Sequence, residues 1–257
     1  MQAQARERAD APCLVVEGLS KAYRVQGLWI RALEEVSFAV RSGEILSLLG
    51  PSGCGKTTLL NILAGFLLPD AGRVLMRSQL VTKPGPERGV VFQEDALFPW
   101  LTVAENVGFG LRDVRGQTGH QDRVARILKL VGLDDHGHYL PRTISGGMKQ
   151  RVALARVLVL QPTALLMDEP FAALDAQTRA GMHELLLSLQ RQLDQTVVFV
   201  THDPEEAVKL SDRVLIMSPS PGRVRQELTV ALPRPRQLDS PGFLELKRAI
   251  FACLGDG

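Results

Sequence analysis

The chain has 257 residues, 45% of them hydrophobic and 5% aromatic. That is one or two domains' worth of chain, with enough core to fold without covalent staples. Thirty basic against 28 acidic side chains leave a formal net charge of +2, too even for a general nucleic-acid footprint, and no nucleic-acid partner is expected.

In chain order, residues 1–10 are polar and lack an apolar segment behind a basic start, so no secretory signal is expected. No window reaches the roughly 20 apolar residues of a membrane span. Apolar runs rich in Val, Ile and Leu predict strands at 14–16, 36–40, 45–49, 74–76, 90–92, 165–167, 197–200 and 214–217. Several are apolar at every position, as in strands covered on both faces. Helical patterns fall at 56–64, 122–131, 152–160, 182–193 and 205–210. In the second of these, Val124, Ile127, Leu128 and Val131 share one face. This alternation predicts an α/β domain around a mostly parallel sheet. Residues 219–241, with several prolines, read as irregular, and Phe243, Leu246, Ile250 and Leu254 mark a terminal helix. Cys13, Cys54 and Cys253 are odd in number and far apart, which argues against a disulfide framework or a cysteine zinc site and fits a reducing compartment.

The segment from Gly50 through Pro51, Ser52, Gly53, Cys54, Gly55, Lys56 and Thr57 to Thr58 fits G-x-x-x-x-G-K-[ST] between a predicted strand and a predicted helix. Its glycines let backbone N–H groups curl around an anion, and the helix start adds positive potential. Lys56 is expected on the β- and γ-phosphates and the Thr57 hydroxyl on Mg²⁺. Cys54 reads as a small filler, because no catalytic dyad is suggested beside it. The strand at 165–167 runs into Asp168 and Glu169. Acids at such a strand end face the ligand crevice of an α/β sheet. Asp168 is expected to hold Mg²⁺ through water, and Glu169 to orient or deprotonate an attacking water.

Residues 144–151, Ile-Ser-Gly-Gly-Met-Lys-Gln-Arg, closely resemble the signature of the ATP-binding cassette (ABC) ATPases. Other elements follow in that family's order. Tyr23 resembles the aromatic residue that stacks on adenine, Gln93 the Q-loop glutamine, Ala173-Leu174-Asp175 the D-loop, and Thr201-His202-Asp203 the switch-histidine loop. The match runs from about residue 14 to 217. Ile144 and Met148 depart from the commonest signature, which has Leu and Gln there. Met148 and the stretch 95–107 resemble the importer ATPases for nitrate, sulfonate and taurine.

The resemblance implies a P-loop NTPase fold with a RecA-like, mostly parallel sheet, an antiparallel β subdomain and a helical subdomain at about 94–160 that carries the signature. It implies an ATPase domain over 12–240 and a helical tail at 241–257. ATP and Mg²⁺ would be the ligands, with Glu169, His202 and Gln93 catalytic, and Thr57, Gln93 and Asp168 at the metal. Tyr23, residues 50–58, and Ser145, Gly146, Gly147 and Asp175 would bind nucleotide. The signature of one copy would cover the nucleotide of a second in a head-to-tail dimer. Membrane permease subunits would dock near Phe98 and Trp100 at the cytoplasmic face, served by a solute-binding protein. A soluble ABC ATPase acting on ribosomes or DNA, or a freestanding exporter ATPase, is the alternative. His136 and His138 read as a surface loop rather than a metal site, and Arg223, Arg225, Arg234 and Arg236 as a solvated basic tail.

Overall fold

The computed structural model describes residues 12–93, 96–112 and 119–255. The polar start read at 1–10, Asp95 and the last two residues of the tail lie outside the described residues.

Two long strands open the fold. β1 (Pro12–Val25) and β2 (Leu28–Arg41) pair antiparallel across Gln26 and Gly27, both at positive φ. A two-residue turn with both central residues left-handed matches the right-handed twist of a hairpin. These strands run well past the predicted 14–16 and 36–40. The reason is that residues 23–31 are exposed throughout, so no buried face imposes a strand pattern there. β4 (Ala71–Met76) and the short β5 (Gln79–Leu80) complete an antiparallel sheet of order β2-β1-β4-β5.

The second sheet has the order β10-β9-β3-β8-β7-β6. β3 (Ile45–Leu49), β6 (Arg88–Val91), β7 (Ala164–Asp168), β8 (Thr196–Thr201) and β9 (Arg213–Met217) run parallel. β10 (Val224–Thr229) is an antiparallel edge strand on β9. It corrects the reading of 219–241 as irregular: Arg225, Gln226 and Glu227 are exposed, and a polar edge strand carries no apolar signal.

Side-chain alternation splits the central strands between two cores. Leu46, Leu48, Leu166, Val198 and Val200 join the inner face of the antiparallel sheet and the helix α1 (Lys56–Ala64). Ile45, Leu165, Met167, Val197 and Phe199 face the other way, onto α2 (Val103–Gly108), α3 (His120–Leu130), α4 (Gly146–Leu158) and α5 (Ala176–Leu193). A third core lies between β9, α6 (Pro204–Leu210) and the terminal helix α7 (Pro241–Gly255), with Phe243 and Ile250 fully buried.

Two helices begin earlier than the apolar pattern shows. α4 starts at Gly146 with Ser145 as its N-cap, so the signature is the first turn of the helix rather than a loop before it. α5 starts at Ala176, capped by Asp175 through the N–H groups of Gln177 and Thr178.

The basic tail is not a uniformly solvated face either. Arg236 donates to the carbonyls of Val208, Ser211 and Val230, and Arg234 to that of Leu210 and to Asp212. Both side chains satisfy orphan carbonyls at the end of α6. Burial pushes the Arg236 guanidinium down to about 10. Arg223 pairs with Glu34, and Arg225 reaches the Cys253 carbonyl.

Candidate active site

β3, β8 and β7 are neighbours in the sheet, so the loops after their carboxyl ends stand side by side. Gly50–Gly55 follow β3, Asp168 and Glu169 close β7, and His202 follows β8. Together they border a cavity of 440 Å³ lined by Ala32, Ser52, Gly53, Gly55, Lys56, Thr57, Thr58, Glu169 and His202.

The phosphate loop needs its glycine at position 55. Gly55 has a φ of 93°, and a Cβ there would meet the Ala32 carbonyl at 2.7 Å. Lys56 is buried and donates to the carbonyls of Gly50 at 2.7 Å and Pro51 at 2.9 Å, which leaves its ammonium at the centre of the loop. The buried Cys54 thiol lies 3.7 Å from that ammonium. Burial pushes the thiol up, against the pull of Lys56, so it is an inert filler.

Asp168 is hydrogen-bonded to the Thr57 side chain. Burial raises its pKa, Thr57 and Lys56 oppose that, and neighbouring Glu169 adds to it. The Thr57 hydroxyl and the Asp168 carboxylate form an oxygen-only donor pair beside a phosphate loop, which fits a hard cation such as Mg²⁺. Glu169 sits at φ 44°, a left-handed backbone that costs an ordinary residue on the order of 1–3 kcal/mol and persists only where its surroundings hold it. Its Oε2 is 3.2 Å from His202 Nδ1. The exposed Tyr23 ring puts its hydroxyl 3.3 Å from Thr58 Oγ1, at the rim of the same site.

Not every expected residue gathers here. Gln93 lies exposed beyond β6, three strands from β3, or about 14 Å at the usual strand spacing, and it does not line the cavity. Ser145 and Gly146 are exposed at the start of α4 and also do not line it. The Asp175 carboxylate is engaged in capping α5, and its hydrogen bonds to Thr178 hold its pKa down. Behind Glu169 and His202 the sequence reading missed a buried carboxylate. Glu206 accepts from Thr201 at 2.7 Å and lies 3.4 Å from His183 Nε2. Burial would raise its pKa, but the adjacent His183 and the hydrogen bond from Thr201 prevail and lower it. Its only sequence signal was an acid in a helix's first turn, which looks like ordinary dipole matching.

A phosphate loop on a central parallel strand, two acids on a second strand and a histidine on a third define a P-loop nucleoside triphosphatase. Comparison with known proteins resolves the branch. The family model described as ABC transporter matches residues 33–172. A taurine import ATP-binding protein of Pelagibacter ubique is 46% identical over 83% of this chain and 82% of its own length. An aliphatic sulfonates import ATP-binding protein of Bacillus cereus is 41% identical over 91% of this chain and 93% of its own. Among solved structures, a dimeric ABC transporter cassette matches with TM-score 0.75 and 32% identity, covering 86% of this chain and all of the other. A dimeric post-hydrolysis state bound to ADP and Pi gives TM-score 0.74, with the same identity and coverage. The chain belongs to the ABC transporter family and is its ATP-binding, ATP-hydrolysing type of subunit.

Proposed function

We propose that this ATPase powers an importer for a small solute of the taurine, sulfonate or nitrate type. It works as an ATP-clamped head-to-tail homodimer, peripheral on the cytoplasmic face, beneath separate membrane subunits fed by a solute-binding protein. The observation that carries the reading is a division within one chain: Lys56, Thr57, Glu169 and His202 meet at one cavity, while Ser145 and Gly146 of the signature stand exposed elsewhere. Support for the dimer comes from the dimeric cassettes of similar fold, and for the solute class from the names of the relatives.

In this mechanism the backbone N–H groups of residues 50–58 cradle the phosphates, and Lys56 exchanges its carbonyl acceptors for phosphate oxygens. Thr57 and Asp168 would hold Mg²⁺, which when bound neutralises the developing phosphate charge. Glu169 takes the proton of the attacking water. His202, in contact with Glu169, orients that carboxylate and faces the γ-phosphate. Tyr23 stacks on the base, and Ser145, Gly146, Gly147 and Asp175 of a second copy close the site and exclude water. Gln93 would reach the metal site from beyond β6.

The region around Phe98 and Trp100 carries the expected docking surface. Phe66, Phe92, Phe98, Phe109 and Arg156 help line a groove of 620 Å³. Trp100, 72% exposed, packs 5.7 Å from Phe98, over which Arg156 lies. Exposed aromatics clustered beside an apolar groove suit an apolar element of a membrane subunit. No helix of the described residues is long and apolar enough to cross a membrane.

The test is reconstitution in vesicles with a permease and solute-binding protein. ATP hydrolysis is expected to rise with taurine, an alkanesulfonate or nitrate, and Trp100→Ala to lower the stimulated rate severalfold. Stimulation by ribosomes or DNA, with no permease dependence, would contradict the reading.

A further inference from the structure

A buried hydrogen bond joins the signature helix to the turn that carries Glu169. Gln150 lies five residues after the N-cap Ser145, and its Nε2 donates 2.9 Å to the carbonyl of Pro170. Gln150 is 5% exposed, so the bond is shielded from water. Pro170 directly follows Glu169, the residue held at φ 44°. Other holds on this turn come from the sheet and from the turn itself. The Glu169 N–H donates to the Val200 carbonyl at 3.1 Å, and the Ala172 N–H to the Glu169 carbonyl at 3.2 Å. Gln150 is the hold that comes from α4.

The connection is stiff. A helix rises 1.5 Å per residue, so Gln150 lies about 7.5 Å along α4 from Ser145. Proline fixes its own φ, which leaves ψ as the one soft torsion at Pro170 that can absorb a shift of its carbonyl, and the remainder passes into the peptide shared with Glu169. A left-handed glutamate depends on such neighbours to stay where it is.

We propose that Gln150 is a positioning residue for hydrolysis, fixing the Glu169 carboxylate of its own subunit according to how the start of α4 is seated. This rests on the homodimer reading above. The nucleotide seated on α4 belongs to the opposite site, so the bond makes each site's carboxylate sensitive to occupancy of the other.

The test compares wild type, Gln150→Met, Glu169→Gln and the double variant, full-length, by steady-state and single-turnover ATP hydrolysis, ATP-dependent dimer formation and Tm. Gln150→Met is expected to lower kcat at least tenfold, leave KM for ATP within twofold and keep the ATP-dependent dimer. The double variant is expected to be within twofold of Glu169→Gln alone, because the two residues act in series. A kcat loss that multiplies with that of Glu169→Gln, or a lowered Tm with full kcat, overturns the proposal. So does loss of the ATP-dependent dimer in Gln150→Met alone, since that places the effect on the signature's grip. If Glu169→Gln itself forms no dimer, the dimer reading fails, while the rate cycle still judges the link between the two residues. Gln150→Asn, too short to reach the carbonyl, enters the same cycle where the Met variant does not fold.

Discussion

Two helix starts in this chain offer backbone N–H groups to an anion, and they are built in opposite ways. α1 begins from Gly55 in a left-handed conformation with no side-chain cap, and around it stand the buried Lys56, the half-buried Asp168 and Glu169, and the exposed His202. α4 begins from Ser145, whose hydroxyl already accepts from the Met148 N–H, and Gly146 meets nothing within 4 Å where a side chain would stand. The first start has charge, a donor pair for a cation and a base. The second has open backbone and no acid in its first turn. Anions favour any helix start, but only the first can do chemistry on one. On the proposed dimer reading, this contrast makes α4 of one copy the lid over the nucleotide of the other.

The largest effect should come from the group that makes the first start catalytic. Glu169→Gln removes the base and leaves the phosphate contacts, so kcat should fall about 10²–10⁴-fold with ATP binding intact and the dimer trapped. Rapid turnover by that variant in a phosphate-release assay would move the base elsewhere. Next comes Lys56→Ala, which deletes a buried cation ringed by carbonyls. Charged hydrogen bonds of this kind contribute about 1.5–3 kcal/mol, so ATP affinity should fall roughly tenfold to 150-fold in a nucleotide titration. Unchanged affinity would mean that α1's backbone alone holds the phosphates.

The signature glycines sharpen the contrast further. A Cβ on Gly147 would meet Thr178 Cγ2 of α5 at 2.4 Å, whereas one on Gly146 meets nothing. Gly147→Ala should therefore lower stability by about 1–3 kcal/mol through overpacking, measured by denaturant unfolding. Gly146→Ala should leave stability nearly unchanged yet slow hydrolysis, because in the proposed dimer the space it fills belongs to the opposing nucleotide. Two glycines with equal effects on stability and rate would erase the distinction between packing and lid.

How much of this was legible in sequence follows the same line. The phosphate loop and the acid-ended strand could be read because each is local: eight strands of the two sheets, and the residues from Gly50 to Thr58, announce themselves by consecutive apolar runs or a fixed spacing. The hidden parts are those whose meaning is set by long-range pairing. β10 is polar because it is an edge, and Arg236 looks solvated until the end of α6 is packed against it. Gln150 stands among the signature residues but shows no partner until Pro170, 20 positions later, folds beside it. Gln93 matched its motif in order, and only the sheet order shows it three strands from the phosphate loop.

The smallest effect separates the two regions by pH. Burial and the neighbouring Glu169 raise Asp168, so its ionised form is disfavoured in the fold. For an acid raised in this way, the favourable contribution is present below the usual carboxylate pKa and is lost as pH rises through the raised value. At pH 7 the charge therefore opposes folding, and Asp168→Asn should raise Tm by about 1–2 °C while stopping turnover, the gain vanishing in acid. Asp175, beside α5, is lowered instead by its bonds to Thr178, so its contribution is present at neutral pH and fades as pH falls through the lowered value. Asp175→Asn should therefore leave Tm at pH 7 unchanged or lower it. Paired thermal scans of the two variants from pH 3 to 8 read both slopes. If Asp168→Asn were the less stable protein at pH 7, the Thr57–Asp168 hydrogen bond would outweigh the buried charge, and α1's surroundings would favour the fold rather than oppose it for the sake of a cation.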